Sequence, residues 1–172
     1  NGPSFHYEVV SDGAFIVNSG NMYSSIDGSL TGINSASNVA VQKVFAANNG
    51  GQSLGSTPND GLVYGDKMYV VVDGSNTVEV INKKTMQRIK QIKTTELLGA
   101  AEGKSPRHII AGNGHIFFTT YGGYVAAVDT VNFKLTAKYK VGSFPEGLAG
   151  YASSIVVANS DYAKGHGNIS II

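Results

Sequence analysis

The chain has 172 residues, 42% of them apolar, enough to bury a sizeable core, and its formal net charge of +1 gives no general pull toward nucleic acid or a membrane surface. The absence of Cys excludes disulfides and thiol chemistry within these residues without identifying the compartment. No apolar stretch is long enough to span a bilayer directly, and the first residues lack both Met and a signal-like apolar region, as in a processed or trimmed start.

All four prolines, Pro3, Pro58, Pro106 and Pro145, occupy the same place in a repeated pattern. Each opens a short strand-like segment (6–10, 61–64, 108–111 and 147–150), followed by a tight turn carrying Gly or Ser. A second apolar run then ends roughly fifteen residues after the proline, as in Ala14-Phe15-Ile16-Val17, Met68-Tyr69-Val70-Val71-Val72, Ile116-Phe117-Phe118 and Ile155-Val156-Val157-Ala158. Steps of roughly 40 to 50 residues are those of propeller blades or of helical arrays. The apolar runs are short, β-branched and aromatic, and lie between clusters of Gly, Asn, Asp and Ser, which selects strands.

A third strand follows in each repeat. It is strongest at Val78-Glu79-Val80-Ile81-Asn82, Val125-Ala126-Ala127-Val128-Asp129 and Ile169-Ser170-Ile171-Ile172, with 23–27 as its weaker version in the first repeat. Only 86–102 also fits a helix, because Met86, Ile89 and Ile92 fall three apart. The alternation in Lys134-Leu135-Thr136-Ala137-Lys138-Tyr139-Lys140-Val141 favours a half-exposed outer strand in both repeats. Lys83, Lys84, Arg88, Lys90 and Lys93 then read as the solvated face of that outer strand.

The fold expected is therefore all-β: a β-propeller of four-stranded antiparallel blades, spanning approximately 1–57, 58–105, 106–144 and an incomplete 145–172. About three and a half blades do not close a ring. The expectation is half of a probable seven- or eight-bladed propeller, whose remaining half comes from the same polypeptide or a second chain, with the edge at 169–172 needing cover.

Particular stretches carry a family resemblance. Val44-Phe45-Ala46-Ala47-Asn48-Asn49-Gly50-Gly51-Gln52-Ser53-Leu54-Gly55, Asp66-Lys67-Met68-Tyr69-Val70-Val71-Val72, Ser75-Asn76-Thr77-Val78-Glu79-Val80, Ser105-Pro106-Arg107-His108-Ile109 and Phe144-Pro145-Glu146-Gly147-Leu148 resemble the surface-layer-like, YncE-type β-propeller proteins exported by gut Bacteroidetes. The opening Gly13-Ala14-Phe15-Ile16-Val17-Asn18-Ser19-Gly20-Asn21 resembles that family's first strand and turn. The resemblance implies an extracytoplasmic location, at the bacterial outer-membrane surface or in the periplasm. Its sharpest functional form is capture of vitamin B12 or related corrinoids by a cell-surface lipoprotein for a TonB-dependent outer-membrane transporter. It implies no bound cofactor.

In a propeller, the loops into each inner strand and between second and third strands lie on one face, around the central channel. Here these are 18–25, 48–60, 73–77, 94–108, 121–124, 142–147 and 159–167, rich in Tyr, Asn, Asp and Arg. That mixture suits a large polar ligand such as a corrinoid, a glycan or a protein loop. Arg107, Tyr121, Asn159, Asp161, Tyr162, Asn76 and Glu146 are the candidate ligand contacts. Turn geometry alone accounts for Asn76, Asp73, Gly122 and Gly123, whereas no turn requires the side chains of Arg107, Tyr121, Asp161 or Tyr162.

Catalytic constellations do not emerge, so the protein is read as a non-enzyme. His6, His108, His115 and His166 lie in different repeats without metal-ligand spacing, although His108 beside Arg107 could line the channel. Asp60 with Asp66, or Glu96 with Glu102, make no credible acid/base pair. Gly112-Asn113-Gly114 precedes a Phe-rich strand and reads as a hairpin turn. Among catalytic alternatives, an oxidoreductase of the quinoprotein type lacks its Trp docking motif. A propeller lyase would have to draw a metal site from His108, Glu146 and His166.

Overall fold

The computed structural model describes residues 13–172. Pro3, His6 and the strand expected at 6–10 lie outside them. The described residues form four antiparallel sheets in chain order. The first holds β1 (Gly13–Asn18), β2 (Ser29–Asn34) and β3 (Val39–Val41). The second holds β4 (Pro58–Tyr64), β5 (Lys67–Val72), β6 (Thr77–Asn82) and β7 (Arg88–Lys93). The third holds β8 (Pro106–Gly112), β9 (His115–Thr120), β10 (Tyr124–Asp129) and β11 (Leu135–Lys140). The fourth holds β12 (Pro145–Tyr151), β13 (Ser154–Asn159) and β14 (Asn168–Ile171). Each sheet is an up-and-down meander, and the leading strands β4, β8 and β12 pack side by side. That is a partial β-propeller of about three and a half blades, with β4, β8 and β12 lining the axis.

Every blade-opening proline within the described residues follows a residue in the left-handed region: Thr57 (φ 57°), Ser105 (φ 53°) and Phe144 (φ 49°). Non-glycine residues rarely adopt this conformation, least of all a β-branched Thr, so three recurrences at one position mark a structural device. The carbonyls of these residues accept the N–H of Asp73, Tyr121 and Ser160, each at 3.0 Å. Those residues stand fifteen positions after the proline (58 to 73, 106 to 121, 145 to 160). The bond ties the exit of each second strand to the start of its inner strand, so both lie at one end of the ring.

The second sheet is buried on both faces. Along β5, Met68, Val70 and Val72 face the first sheet with Leu30, Val44, Phe45 and Leu54, while Tyr69 and Val71 face the third sheet with Ile109, Ile116, Phe118, Ala126 and Val128. Each such side chain contributes roughly 1.5–3 kcal/mol by leaving water, which is what holds neighbouring blades together. Hydrophobic alternation within strands thus becomes adhesion between sheets. The fourth sheet presents Ile169 and Ile171 along β14, 69% and 70% exposed.

Two local expectations change. The third strand of the first repeat is β2, and 23–27 belongs to the loop before it. That loop folds on itself: the Asn21 side chain accepts the N–H groups of Tyr23 (3.0 Å) and Ser24 (3.2 Å), and the Asn21 backbone pairs with Ile26. Gly20 sits at φ 73°, where a Cβ would lie 2.2 Å from the Ile26 carbonyl oxygen, so the chain must turn there. Tyr23 and Ile26 are exposed, and the buried residue is Leu30. The helical possibility over 86–102 reduces to α2 (Thr94–Leu98), after an outer strand β7 that buries Ile92 and exposes Ile89. The stretch after β3 contains a short α1 (Val44–Asn48), whose Val44 and Phe45 seal the first sheet against the second.

The basic outer strand departs from its solvated reading at one residue. Arg88 reaches the fully buried Glu79 of β6 with Nε on Oε2 at 2.7 Å and Nη2 on Oε1 at 2.9 Å. Gln91 donates to the same carboxylate at 2.6 Å, and the guanidinium also donates to Gln52 at 2.7 Å and lies 5.3 Å from the Phe45 ring centroid. Asn49 completes the join, accepting the Arg88 N–H at 2.8 Å and donating to the Met86 carbonyl at 2.7 Å. The segment following the first sheet is therefore fastened to the outer strand of the second.

Candidate functional site

The repeat geometry brings equivalent positions of successive blades together. The residue after the proline is Asn59, Arg107 or Glu146, and the next is Asp60, His108 or Gly147. Because β4, β8 and β12 are neighbours, and Asp73 and Tyr121 are tied to the same end, these side chains meet at one channel mouth. Arg107 is the centre of the cluster. Its Nε donates to Glu146 Oε2 at 3.0 Å, Nη2 reaches Oε1 at 3.4 Å, and Nη1 binds Asp73. Its guanidinium carbon lies 4.6 Å from the Tyr121 ring centroid, and the Tyr121 hydroxyl donates to Glu146. The sequence pattern thus converts a residue from each of three blades into one polar network.

His108 extends this network along the inner strands. Its Nδ1 lies 3.3 Å from Asp60 Oδ2 and its Nε2 lies 3.4 Å from Glu146 Oε2. Burial alone would raise the Asp60 carboxyl, but bonds from His108 and from the N–H groups of Ile109 and Gly61 outweigh it and hold the group below its usual 3.8. The bond to Asp60 is the largest influence on His108 and raises its pKa above 6.5, against the opposing effect of burial. Burial, followed by the bond to Glu146, pushes the Tyr121 phenol upward, so it remains a donor. Asn59 adds a backbone tie, donating to the Arg107 carbonyl at 2.6 Å.

An aromatic cluster stands beside the polar network. Tyr121 meets Phe144 edge-on at 5.2 Å, and Tyr162 packs 4.3 Å from Phe144 and 5.9 Å from Tyr121, centroid to centroid. Rings this close form a packed platform and leave no slot between them. Tyr162 remains 64% exposed, so the platform has a free outer face. A shallow cleft of about 350 Å³, lined by Tyr121, Gly123, Lys140, Gly142 and Phe144, opens alongside. Its floor depends on Gly122, where a Cβ would lie 2.3 Å from the Glu102 carbonyl oxygen.

Of the seven candidate contacts, Arg107, Tyr121, Tyr162 and Glu146 converge here. The other three serve the blades' own frames. Asn76 lies at φ 53°, its side chain accepting the Ser105 N–H at 2.8 Å. Asn159 is buried and donates to Asn168 and Ser170, each at 2.9 Å. Asp161 is largely buried at φ 39°, and its carbonyl accepts the N–H groups of Lys164 and Gly165. Asp73, which turn geometry accounts for in the sequence, and Asp60, which makes no credible acid/base pair there, both hold the cluster. Their signal was available: Asp60 aligns with His108, and Asp73 with Tyr121, once the repeats are superposed on their prolines. His108 and Glu146 do meet, but no group of three or more His, Cys, Asp or Glu residues that could hold a metal ion occurs among the described residues.

The architecture is similar to that of several solved structures. Hydrazine synthase of Kuenenia stuttgartiensis superposes with a TM-score of 0.61 at 16% identity, covering 84% of this chain and 43% of that one. The dihydro-heme d1 dehydrogenase NirN, in complex with DHE, gives 0.60 at 9% identity, covering 84% and 32%. The computationally designed Ika8 protein gives 0.59 at 10% identity, covering 83% and 39%. The chain spans less than half the length of these structures, and the likeness concerns the propeller fold alone. No curated protein matches the sequence. A family model described as "Domain of unknown function (DUF5074)" matches residues 12–163, and the chain belongs to that family.

Proposed function

We propose that the chain supplies part of the channel-mouth site of a non-catalytic, extracytoplasmic binding protein, with the ligand resting on Tyr162, Tyr121 and Phe144 and bonding to the carboxylate network below. One observation carries this reading: side chains from three consecutive blades converge beside an aromatic face that remains open. Core packing does not require a tyrosine with 64% of its surface in water.

The sharpest form of the proposal is capture of vitamin B12 or a related corrinoid for a TonB-dependent outer-membrane transporter. The aromatic faces would pack on the macrocycle. With Arg107 committed to Asp73 and Glu146, the cation that lines the cleft itself is Lys140, which would meet the ligand's phosphate. A protein partner is the second reading, favoured by the loop before β2, which exposes Met22, Tyr23 and Ile26.

Calorimetric titration of the full-length protein with cyanocobalamin tests the corrinoid form. Binding should weaken roughly 30- to 1,000-fold when Tyr121→Ala and Tyr162→Ala are combined, the loss expected for two anchor residues. No heat, together with no competition at micromolar protein, eliminates corrinoid capture and leaves a glycan or partner protein as the ligand.

A further inference from the structure

Asp60 on β4, His108 on β8 and Glu146 on β12 belong to three adjacent inner strands, and His108 is in direct contact with both of the others. Glu146 in turn receives the Tyr121 hydroxyl, and Tyr121 contacts Phe144 and Tyr162. We propose that His108 is a pH-dependent latch on this aromatic platform: protonated, it bridges Asp60 and Glu146; neutral, it releases Glu146 and loosens Tyr121 and Tyr162. The inference concerns regulation of the proposed binding site and rests on that reading only for its biological consequence.

The chemistry follows from the two ring nitrogens. A protonated imidazole donates from both, whereas a neutral one keeps a single N–H and turns a lone pair toward the remaining partner. Asp60 is immobilised by the N–H groups of Ile109 at 3.1 Å and Gly61 at 2.8 Å, so it retains the proton-bearing Nδ1. The lone pair of Nε2 then faces Glu146 Oε2, and attraction becomes repulsion.

The charged groups around the ring pull in both directions. Asp60 and Glu146 face it from the two flanking strands, Arg107 adjoins it on its own strand, and Asp73 acts on the cluster through Arg107. The carboxylates of Asp60 and Glu146 favour the protonated ring and outweigh burial and Arg107, which oppose it. The bond to Asp60 accordingly raises the His108 pKa above 6.5, so release occurs as pH rises through that raised value. The backbone does not share in the switch. Thr119 accepts the His108 N–H at 3.1 Å and donates to the Glu146 carbonyl at 2.8 Å in either state, which confines the change to side chains.

The test is nuclear magnetic resonance of the full-length protein, with labelled histidine and tyrosine rings and no ligand, titrated from about pH 5 to about pH 9 to bracket histidine's range. The His108 ring should titrate with a midpoint above 6.5, and the Tyr121 and Tyr162 ring signals, assigned through Y121F and Y162F, should shift with the same midpoint. His108→Gln should abolish the tyrosine titration, His115→Gln should preserve it, and Glu146→Gln should lower the His108 midpoint while uncoupling the tyrosines. Tyrosine signals that stay flat while His108 titrates, or a titration that persists in H108Q, overturn the latch. The readout needs no ligand, so a failed cyanocobalamin titration leaves it standing, and a flat tyrosine titration removes the latch even where a ligand binds.

Discussion

Two arginines in adjacent blades make similar bonds in different surroundings. Arg88 closes on Glu79, which has no exposed surface, between the first and second sheets. Arg107 closes on Asp73 and Glu146, whose side chains are 17% and 26% exposed, at the channel mouth. The difference is water. A sealed carboxylate that loses its arginine is left charged and desolvated, whereas an open one can be rehydrated. The first clamp therefore belongs to the fold, and the second is free to serve a ligand.

The largest expected effect breaks the sealed clamp. Arg88→Met should destabilise the protein by about 3–5 kcal/mol in urea denaturation, because Glu79 is left buried without its charge partner. The double change Glu79→Met with Arg88→Met should recover most of that loss; failure to recover would mean that the contacts of the Arg88 side chain with Gln52 and the Phe45 ring carry the joint instead. Phe118→Ala, in the core between the second and third sheets, should cost a similar 3–5 kcal/mol and provides a scale for the first result.

Effects at the mouth should be smaller. Arg107→Met should cost about 1 kcal/mol, read from the same denaturation curves. The pH dependence sharpens the contrast through its sign. Asp60 has a depressed pKa, so its contribution is full above its usual 3.8 and fades as pH falls. His108 has a raised pKa, so its contribution is full below 6.5 and is lost as pH rises through the raised value. His108→Gln should flatten the alkaline side of the stability profile by under about 1 kcal/mol, given the partial exposure of both partners. Smallest of all, Tyr162→Ala should leave stability within about 0.5 kcal/mol while weakening any ligand that uses the platform.

The blades were legible because proline spacing and strand alternation are local signals. Pro58, Pro106 and Pro145 each open a strand, and Gly112-Asn113-Gly114 makes the expected hairpin, with Asn113 at φ 51° and Gly114 at φ 75°. The misplaced third strand at 23–27 arose where apolar residues occupy an exposed loop, a feature that periodicity cannot distinguish from a half-buried strand. The two clamps were harder to see because each joins residues from different sheets or from strands paired across a turn. Glu79 sits in an otherwise apolar strand, and Arg88 in an apparently solvated basic run, so neither residue announces the other. At the mouth, candidate residues chosen by type included Arg107, Tyr121, Tyr162 and Glu146. Asn159 and Asp161 have the same polarity, but left-handed geometry or burial turns them inward.

The sealed clamp holds the fold while the open one is available for function. Urea denaturation of Arg88→Met and Arg107→Met, side by side in the full-length protein, tests it most directly. Arg88→Met should lose at least about twice as much stability as Arg107→Met, with unchanged slopes in both. Equal losses, or a larger loss for Arg107→Met, would make the channel-mouth network a structural joint and contradict the division of roles.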